Sequence, residues 1–359
     1  MHLNLHKKAY KKVLLIANGY EPYHDDISHL AESVHYIDPY SQDKNYIQSL
    51  ETFKKYLEDN NLDSKSTEIV YGSGLEDKIG IQEYLDNEFS IAGNSFSKYR
   101  YLSNIYNLDE AIFNKKISLP ETSKSYHYKF LSKKYNSSGG MHVGNNIFSK
   151  NIYYQKYLPG KTYSISFIAN GEYSKILGLN QLFLVKDNIK FPFLHSGAMN
   201  LGLSEVNMDF PKNFISSVCN LYQIKGYCSI DFKIIDNNIY ILDFNPRLSS
   251  SYRLYTRKYE NLMHHHLGLI DDELNMICNQ YYAYIILYAK KDLIISDSIS
   301  ELENISDRPA IGDFVKKDMP LFTINLHSND KDDLLFKIKN RIISAMKIID
   351  CYNTQLEYE

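Results

Sequence analysis

Two turn signals in the middle of the chain, each between runs of alternating residues, constrain its fold more than any other feature. Residues 163–169 and 173–179 flank Asn170-Gly171, a dipeptide whose backbone accepts the positive φ angles of a tight hairpin. Residues 228–235 and 239–244 flank Asp236-Asn237-Asn238 in the same way. A chain with two such hairpins must build an antiparallel sheet there, and the amphipathic stretch 211–222 supplies a helix to cover it. The middle of the protein is therefore expected to be α+β.

The sequence before residue 95 follows a different rule. Apolar runs at 12–17, 34–37 and 67–71 read as strands, and 46–57 has helical character. Strands alternating with helices imply an α/β unit with a mostly parallel sheet, whose ligands gather beyond the strands' carboxyl ends. Gly72-Ser73-Gly74 would lie there, as a ligand loop or as an ordinary tight turn. Helical sequence resumes over 95–114 and is broken at Leu119-Pro120-Glu121-Thr122; 128–133 and 152–157 read as strands. The tail offers strands at 281–289 and 321–324 and a closing helix at 332–349, and reads as a small appendage. The expected division is 1–94, 95–170, 171–290 and 291–359.

With 359 residues, 44% hydrophobic, 23% charged and a net charge of -3, the chain is globular and not a disordered or fibrous one. Its short Lys pairs form no basic stripe, which argues against a nucleic-acid partner. The apolar run 13–17 is too short for a secretory leader, and 281–289 is half of what a membrane span needs. A cytoplasmic protein without a membrane partner is the expectation. Cys219, Cys228, Cys278 and Cys351 show no CxxC spacing, so zinc and dithiol redox chemistry are not indicated.

Four pieces, in order, carry chemistry. Lys133 ends a strand and leads into Ser137-Ser138-Gly139-Gly140, a loop whose backbone N–H groups suit phosphate oxygens. The loop matches neither the Walker A nor the dinucleotide-binding pattern. Gln155-Lys156-Tyr157-Leu158-Pro159-Gly160 leaves a strand for a loop. Alternation then puts Asp231 on one face with Ser229 and Lys233, and Asp243 on one face with Asn245 across the second hairpin. Two carboxylates and an amide oxygen make an oxygen-only site suited to Mg²⁺ bridging nucleotide phosphates. Arg247, two residues on, would reach an anionic substrate or a transferring phosphoryl group. Taken singly each piece also fits a solvated turn; their order points to nucleotide chemistry.

That order, Lys133, the Ser/Gly loop, Gln155-Lys156-Tyr157-Leu158-x-Gly160, Asp231 and Asp243-x-Asn245-Pro246-Arg247, resembles the ATP-grasp ligase superfamily over roughly residues 67–323. It looks closest to ATP-grasp proteins linked to pterin- or furan-type one-carbon carriers in methylotrophs, relatives of tyramine–glutamate ligase. The pieces suggesting this branch are Val70-Tyr71-Gly72-Ser73-Gly74-Leu75-Glu76, Gly93-Asn94-Ser95, Ser138-Gly139-Gly140-Met141-His142-Val143 and Asp307-Arg308-Pro309. The resemblance implies an ATP-grasp fold, with an N-terminal α/β domain and ATP held between two α+β lobes. It implies that Lys133 contacts an inner phosphate, that Ser138, Gly139 and Gly140 close over the phosphates, and that Gln155, Lys156, Tyr157 and Leu158 form the adenine hinge. Asp231, Asp243 and Asn245 would bind Mg²⁺ or Mn²⁺, and Arg247 with Arg253 would hold the acyl phosphate or the substrate carboxylate. His142 is either a further ligand in the loop or a surface histidine. Two positions depart from the pattern: Asp243 stands where Glu is usual, and Ser229 where Arg is frequent.

The activity so implied is ATP-dependent ligation of a small-molecule carboxylate to an amine, with homodimer formation left open. A non-catalytic nucleotide-binding relative and a kinase acting on a hydroxyl are the alternatives. His264-His265-His266 would point to different faces of one helix and reads as partly solvated, not as a metal site. Asp25-Asp26 and Asp271-Asp272 read as solvated charge or helix caps. No Ser/His/Asp or Cys/His set has a motif context for covalent catalysis.

Overall fold

The first apolar run forms the centre of a parallel sheet. In a computed structural model, which describes residues 9–19, 21–39, 46–114, 116–135, 137–144, 151–202, 209–270 and 273–356, β1 (Tyr10–Ile16) pairs with β2 (Ala31–Ile37) on one side and β3 (Thr67–Tyr71) on the other. Asp271-Asp272 lies outside the described residues. A two-residue β4 (Ser90–Ile91) extends the sheet beyond β3. Val13, Leu14, Leu15 and Ile16 are fully buried because both faces of the sheet are covered, as a central parallel strand requires. The helices of this unit are α1 (Glu21–Ser28), α2 (Leu50–Asp59), α3 (Ile79–Glu88) and α4 (Phe96–Ser103).

Helix boundaries follow the caps more closely than the apolar pattern. Helix α2 starts at Leu50 and not at Tyr46, because the Ser49 side chain accepts from the Thr52 N–H. The helix expected over 95–114 stops at Ser103 and continues as two single 3₁₀ turns, Ile105–Asn107 and Glu110–Ile112. Asn104 and Asp109 cause this: their side-chain oxygens accept from Tyr106 N at 3.3 Å and Ala111 N at 2.8 Å, each starting a new turn.

The chain then lays β5 (Ile117–Ser118), β6 (Thr122–Ser123), β7 (Phe130–Lys134), β8 (Val143–Gly144) and β9 (Ile152–Lys156). All but β5 form a small antiparallel sheet in the order β6-β9-β7-β8. The first hairpin follows as β10 (Thr162–Asn170) and β11 (Ser174–Val185), then β12 (His195–Leu201) and the covering helix α5 (Asp209–Tyr222). The second hairpin is β13 (Lys225–Ile235) with β14 (Asn238–Asn245). After a short α6 (Leu262–His266) come β15 (Tyr281–Tyr288), β16 (Leu293–Ile294), β17 (Ile305–Ser306), β18 (Phe314–Val315), β19 (Pro320–Ser328), α7 (Lys331–Ile348) and β20 (Thr354–Gln355).

Among the described residues the large sheet has ten strands, in the order β17-β19-β15-β12-β11-β10-β13-β14-β5, with β20 added against β11. Two expected boundaries therefore do not separate units. β10, placed before the boundary at 170, sits at the sheet's centre between β11 and β13. The tail is not an appendage either, because β19 pairs along the whole of β15 and α7 buries Leu334, Ile338 and Ile342 in the same core. Among the described residues no helix is long and apolar enough to cross a membrane.

Candidate active site

Between the small sheet and one face of the large sheet lies a cavity of about 1120 Å³. Lys133, Ser138, Gly139, Gly140, His142, residues 155–158, Asp231, Asp243, Asn245 and Arg247 all line it. Residues separated by more than a hundred positions are thus brought to one space, with β7, β9 and their loop on one side and β13 and β14 on the other.

Asp231 and Asp243 are direct partners in the β13–β14 register. The register shifts after them, Phe232 pairing with Ile241, so Leu242 is the extra residue of a β-bulge. Leu242 and Asp243 both line the cavity as a result. Burial, and next the Asp243 charge, raise the Asp231 carboxyl to about 7, against the pull of the Ser164 hydroxyl, Lys133 and Arg247. Asp243 is also raised by burial, with Lys133, Arg247 and its bond from the Phe244 N–H acting the other way. Two half-buried carboxylates facing each other are a poor arrangement unless positive charge joins them. Among the described residues no cluster of three or more His, Cys, Asp or Glu could hold a metal. A cation here would take Asp231, Asp243 and the Asn245 oxygen and complete its shell from phosphates and water, which is how Mg²⁺ is commonly held. The donor set fits.

Lys133 faces them, its Nζ donating to the Leu242 carbonyl at 3.1 Å. The glycine loop beyond Lys133 is docked on the large sheet. Gly139 O accepts from His195 N at 3.0 Å, and Gly140 has φ +81 with a Cβ position only 1.8 Å from the Phe193 carbonyl oxygen. Only glycine fits there. His142 Nδ1 lies 3.2 Å from Ser138 O, and burial, reinforced by the Lys133 charge, lowers its pKa to about 3. It braces the loop from the cavity wall.

At the hinge, Gln155 is buried and donates to the Tyr106 hydroxyl at 2.8 Å. The Lys156 ammonium turns to Glu121 on the surface at 3.3 Å, so a hinge role falls to its backbone. Tyr157 N donates to Lys129 O, which fixes the start of the 157–160 loop.

The two arginines are placed differently. Arg247 lines the cavity but is buried and ion-paired with Glu76 at 3.1 Å. Arg253 does not line the cavity: it pairs with Asp307 at 3.2 Å and lies 5.1 Å over the Tyr284 ring. The expectation that Arg253 holds the acyl phosphate or the substrate carboxylate finds no support in this placement, since Asp307, 54 residues away, engages the guanidinium off the cavity wall. Ser229, at the position where Arg is frequent, donates to Ser249 Oγ at 3.2 Å. The hydroxyl chain continues through Ser251 and Tyr227 to Ser166.

The cavity also contains residues that sequence reasoning left without a role. Lys233, on the Asp231 face as alternation required, donates to Gly160 O at 2.6 Å, and burial lowers its pKa to about 8. Asn18 and Ser73 reach the cavity from the ends of β1 and β3, and His195 contacts the Tyr284 hydroxyl at 2.9 Å. Gly72-Ser73-Gly74 is thus both a packed turn and a cavity wall. His266, expected in a solvated helix, is buried instead and accepts from Tyr227 N at 2.9 Å through Nδ1. The four cysteines are free thiols.

Comparison with known proteins bears on the fold. Residues 102–251 match the ATP-grasp domain family. An uncharacterized protein of Methanocaldococcus jannaschii is 27% identical over 269 residues, which cover 67% of this chain and 65% of that protein. The tyramine–L-glutamate ligase of the same organism is 27% identical over 123 residues, 34% of this chain and 37% of the enzyme. The chain thus spans less than two thirds of either relative. Among solved structures, biotin carboxylase from Campylobacter jejuni superposes with a TM-score of 0.66 at 11% identity, over 96% of this chain and 93% of that one. The protein has the ATP-grasp fold, with residues 102–251 the part that resembles the ATP-grasp domain family.

Proposed function

We propose that this protein is an ATP-dependent carboxylate–amine ligase. One observation carries the reading: Asp231, Asp243 and Asn245 face Lys133 and a docked glycine loop across a single cavity of about 1120 Å³. Ligand pockets commonly run to about 300–1,000 Å³, so this one has room for a nucleotide and a second substrate together. The tyramine–L-glutamate ligase relative supports amide formation as the reaction.

In the reaction so proposed, the γ-phosphoryl group passes to a substrate carboxylate and ADP leaves. The amine nitrogen then attacks the carbonyl carbon, the C–O bond to phosphate breaks, and nitrogen gives up a proton. Mg²⁺ at Asp231, Asp243 and Asn245 would supply charge neutralisation for the phosphates. Lys133 adds a fixed positive charge on the same side, and the loop at 138–140 excludes water from the phosphates. Arg247 faces the place where the phosphoryl group and the carboxylate meet. Positioning and charge are most of what phosphoryl transfer asks of a protein. We place the enzyme in the cytoplasm, in the synthesis of a pterin- or furan-type one-carbon carrier.

A screen of acid and amine pairs for release of both ADP and inorganic phosphate tests this. Phosphate release that depends on both partners is expected. A phosphorylated product without free phosphate would mean a kinase instead. The reading with a degraded site draws support from Ser229, whose hydroxyl is committed to Ser249 and brings no charge. Nucleotide binding without turnover across the screen would favour it.

A further inference from the structure

The segment that leaves the Asp243–Asn245 strand is gripped by the N-terminal unit through two separate devices. Asn94, buried at the end of that unit, donates through Nδ2 to Pro246 O at 3.0 Å and to Lys225 O at 2.7 Å, and accepts from Lys225 N at 3.0 Å. It holds the backbone. Glu76 holds the side chain that follows: its Oε1 accepts from Arg247 Nη2 at 3.1 Å, with both side chains almost wholly buried. The other oxygen of Glu76 accepts from Gly74 N at 2.6 Å, so the carboxylate is itself fixed. The loop carrying it is equally fixed, since Gly74 has φ +117 and a Cβ there would stand 2.2 Å from Pro39. Arg247 spends Nη1 on the Leu248 carbonyl at 3.0 Å and lies over the Tyr99 ring at 5.7 Å, while its buried Nε finds no acceptor among the described residues. Glu76 does not line the cavity; Arg247 does.

A surface ion pair would mean little here, but this one is desolvated and braced at each end. An arginine in a cavity wall has several rotamers open to it. A buried carboxylate bonded to one end of its guanidinium selects one of them and leaves the remaining donors aimed consistently. The charge has a second consequence: with Glu76 present, the cavity wall offers directed hydrogen bonds without an uncompensated buried cation.

We propose that Glu76 is a positioning residue for the transferring phosphoryl group, acting through Arg247, so that it takes part in the chemistry without touching the substrates. The proposal rests on the ligase reading above. It assigns to Glu76 a role separate from Asn94, which fixes the strand exit whether or not Glu76 is there.

The test is calorimetric and needs no knowledge of the acid or the amine. Magnesium–ADP is titrated into the full chain with and without aluminium fluoride, which occupies the place of a phosphoryl group in transfer. Glu76→Ala should leave the affinity for magnesium–ADP within about twofold and reduce the extra affinity conferred by aluminium fluoride by ~10-fold or more, the scale of one charge-assisted hydrogen bond. Arg247→Lys should do the same, and the double variant should be no worse than either single one, because both remove one device. Glu76→Gln keeps an acceptor without the charge and should lose less, which also provides a folded variant should alanine unfold the protein. Independent, additive effects, or a Glu76→Ala protein with an unchanged fluoride increment, would overturn the proposal. A wild-type protein that binds no magnesium–ADP would overturn the ligase reading, and this proposal with it.

Discussion

Burial and the facing Asp243 disfavour the charge of Asp231 and raise its carboxyl to about 7. A proton and a cation compete for the same oxygens, so affinity for magnesium–ATP analogues should fall as pH drops below about 7 and level off above it. Titration calorimetry across that range checks the slope. Asp231→Asn should flatten it and, in turnover, cost on the order of 100-fold, the size typical of losing a strong electrostatic contact to a transition state. Arg253 and Asp307 set a contrasting expectation. Their ion pair is largely buried and lies off the cavity wall. Arg253→Leu strands the Asp307 charge and should cost ~3 kcal/mol or more in urea unfolding, while turnover per folded molecule stays near the wild type.

On the proposed reading, the placement of the glycine loop between β7 and β8 decides whether phosphates are covered. Gly140→Ala would put a methyl group onto the Phe193 carbonyl and a side chain into a left-handed backbone. Strain of roughly 1–3 kcal/mol corresponds to about a 5- to 150-fold loss of nucleotide affinity if it is relieved by undocking the loop. Stability should change less than affinity, and a melting curve beside a binding isotherm on one preparation separates the two. This loop, the hinge strand and the Asp231–Asp243 hairpin were legible from the sequence because their signals are local: a turn dipeptide, a glycine cluster, alternating faces. What was not legible is set by partners far along the chain. Nothing near Arg253 announces Asp307, nothing near Arg247 announces Glu76, and the apolar run 281–289 does not say that β15 will pair with β12 and β19. The histidine run misled for the same reason, since the burial of His266 depends on the Tyr227 N–H of another strand.

At the scale of the whole molecule, one cavity draws on every part of the fold, from Asn18 and Ser73 through the small sheet to β13, β14 and β20. Ligand binding should therefore stabilise the protein as one body. A magnesium–ATP analogue at 100 times its dissociation constant should add about 2.7 kcal/mol and shift a single melting transition upward. Chelation of the metal should abolish most of that shift, and separate transitions for the N-terminal unit and the large sheet would contradict the prediction. The pairing of β20 with β11 has a consequence for synthesis. It joins Gln355 to Leu184 and Thr354 to Val185, and Thr354 seals against Ser196 through a 2.7 Å hydroxyl contact. Chains emerge from the ribosome amino end first and begin to fold as they do. The sheet can therefore assemble around a cavity that still lacks this wall, and a nascent chain arrested before residue 353 should capture nucleotide poorly. On the proposed reading, nucleotide capture would then wait for the wall-forming strand.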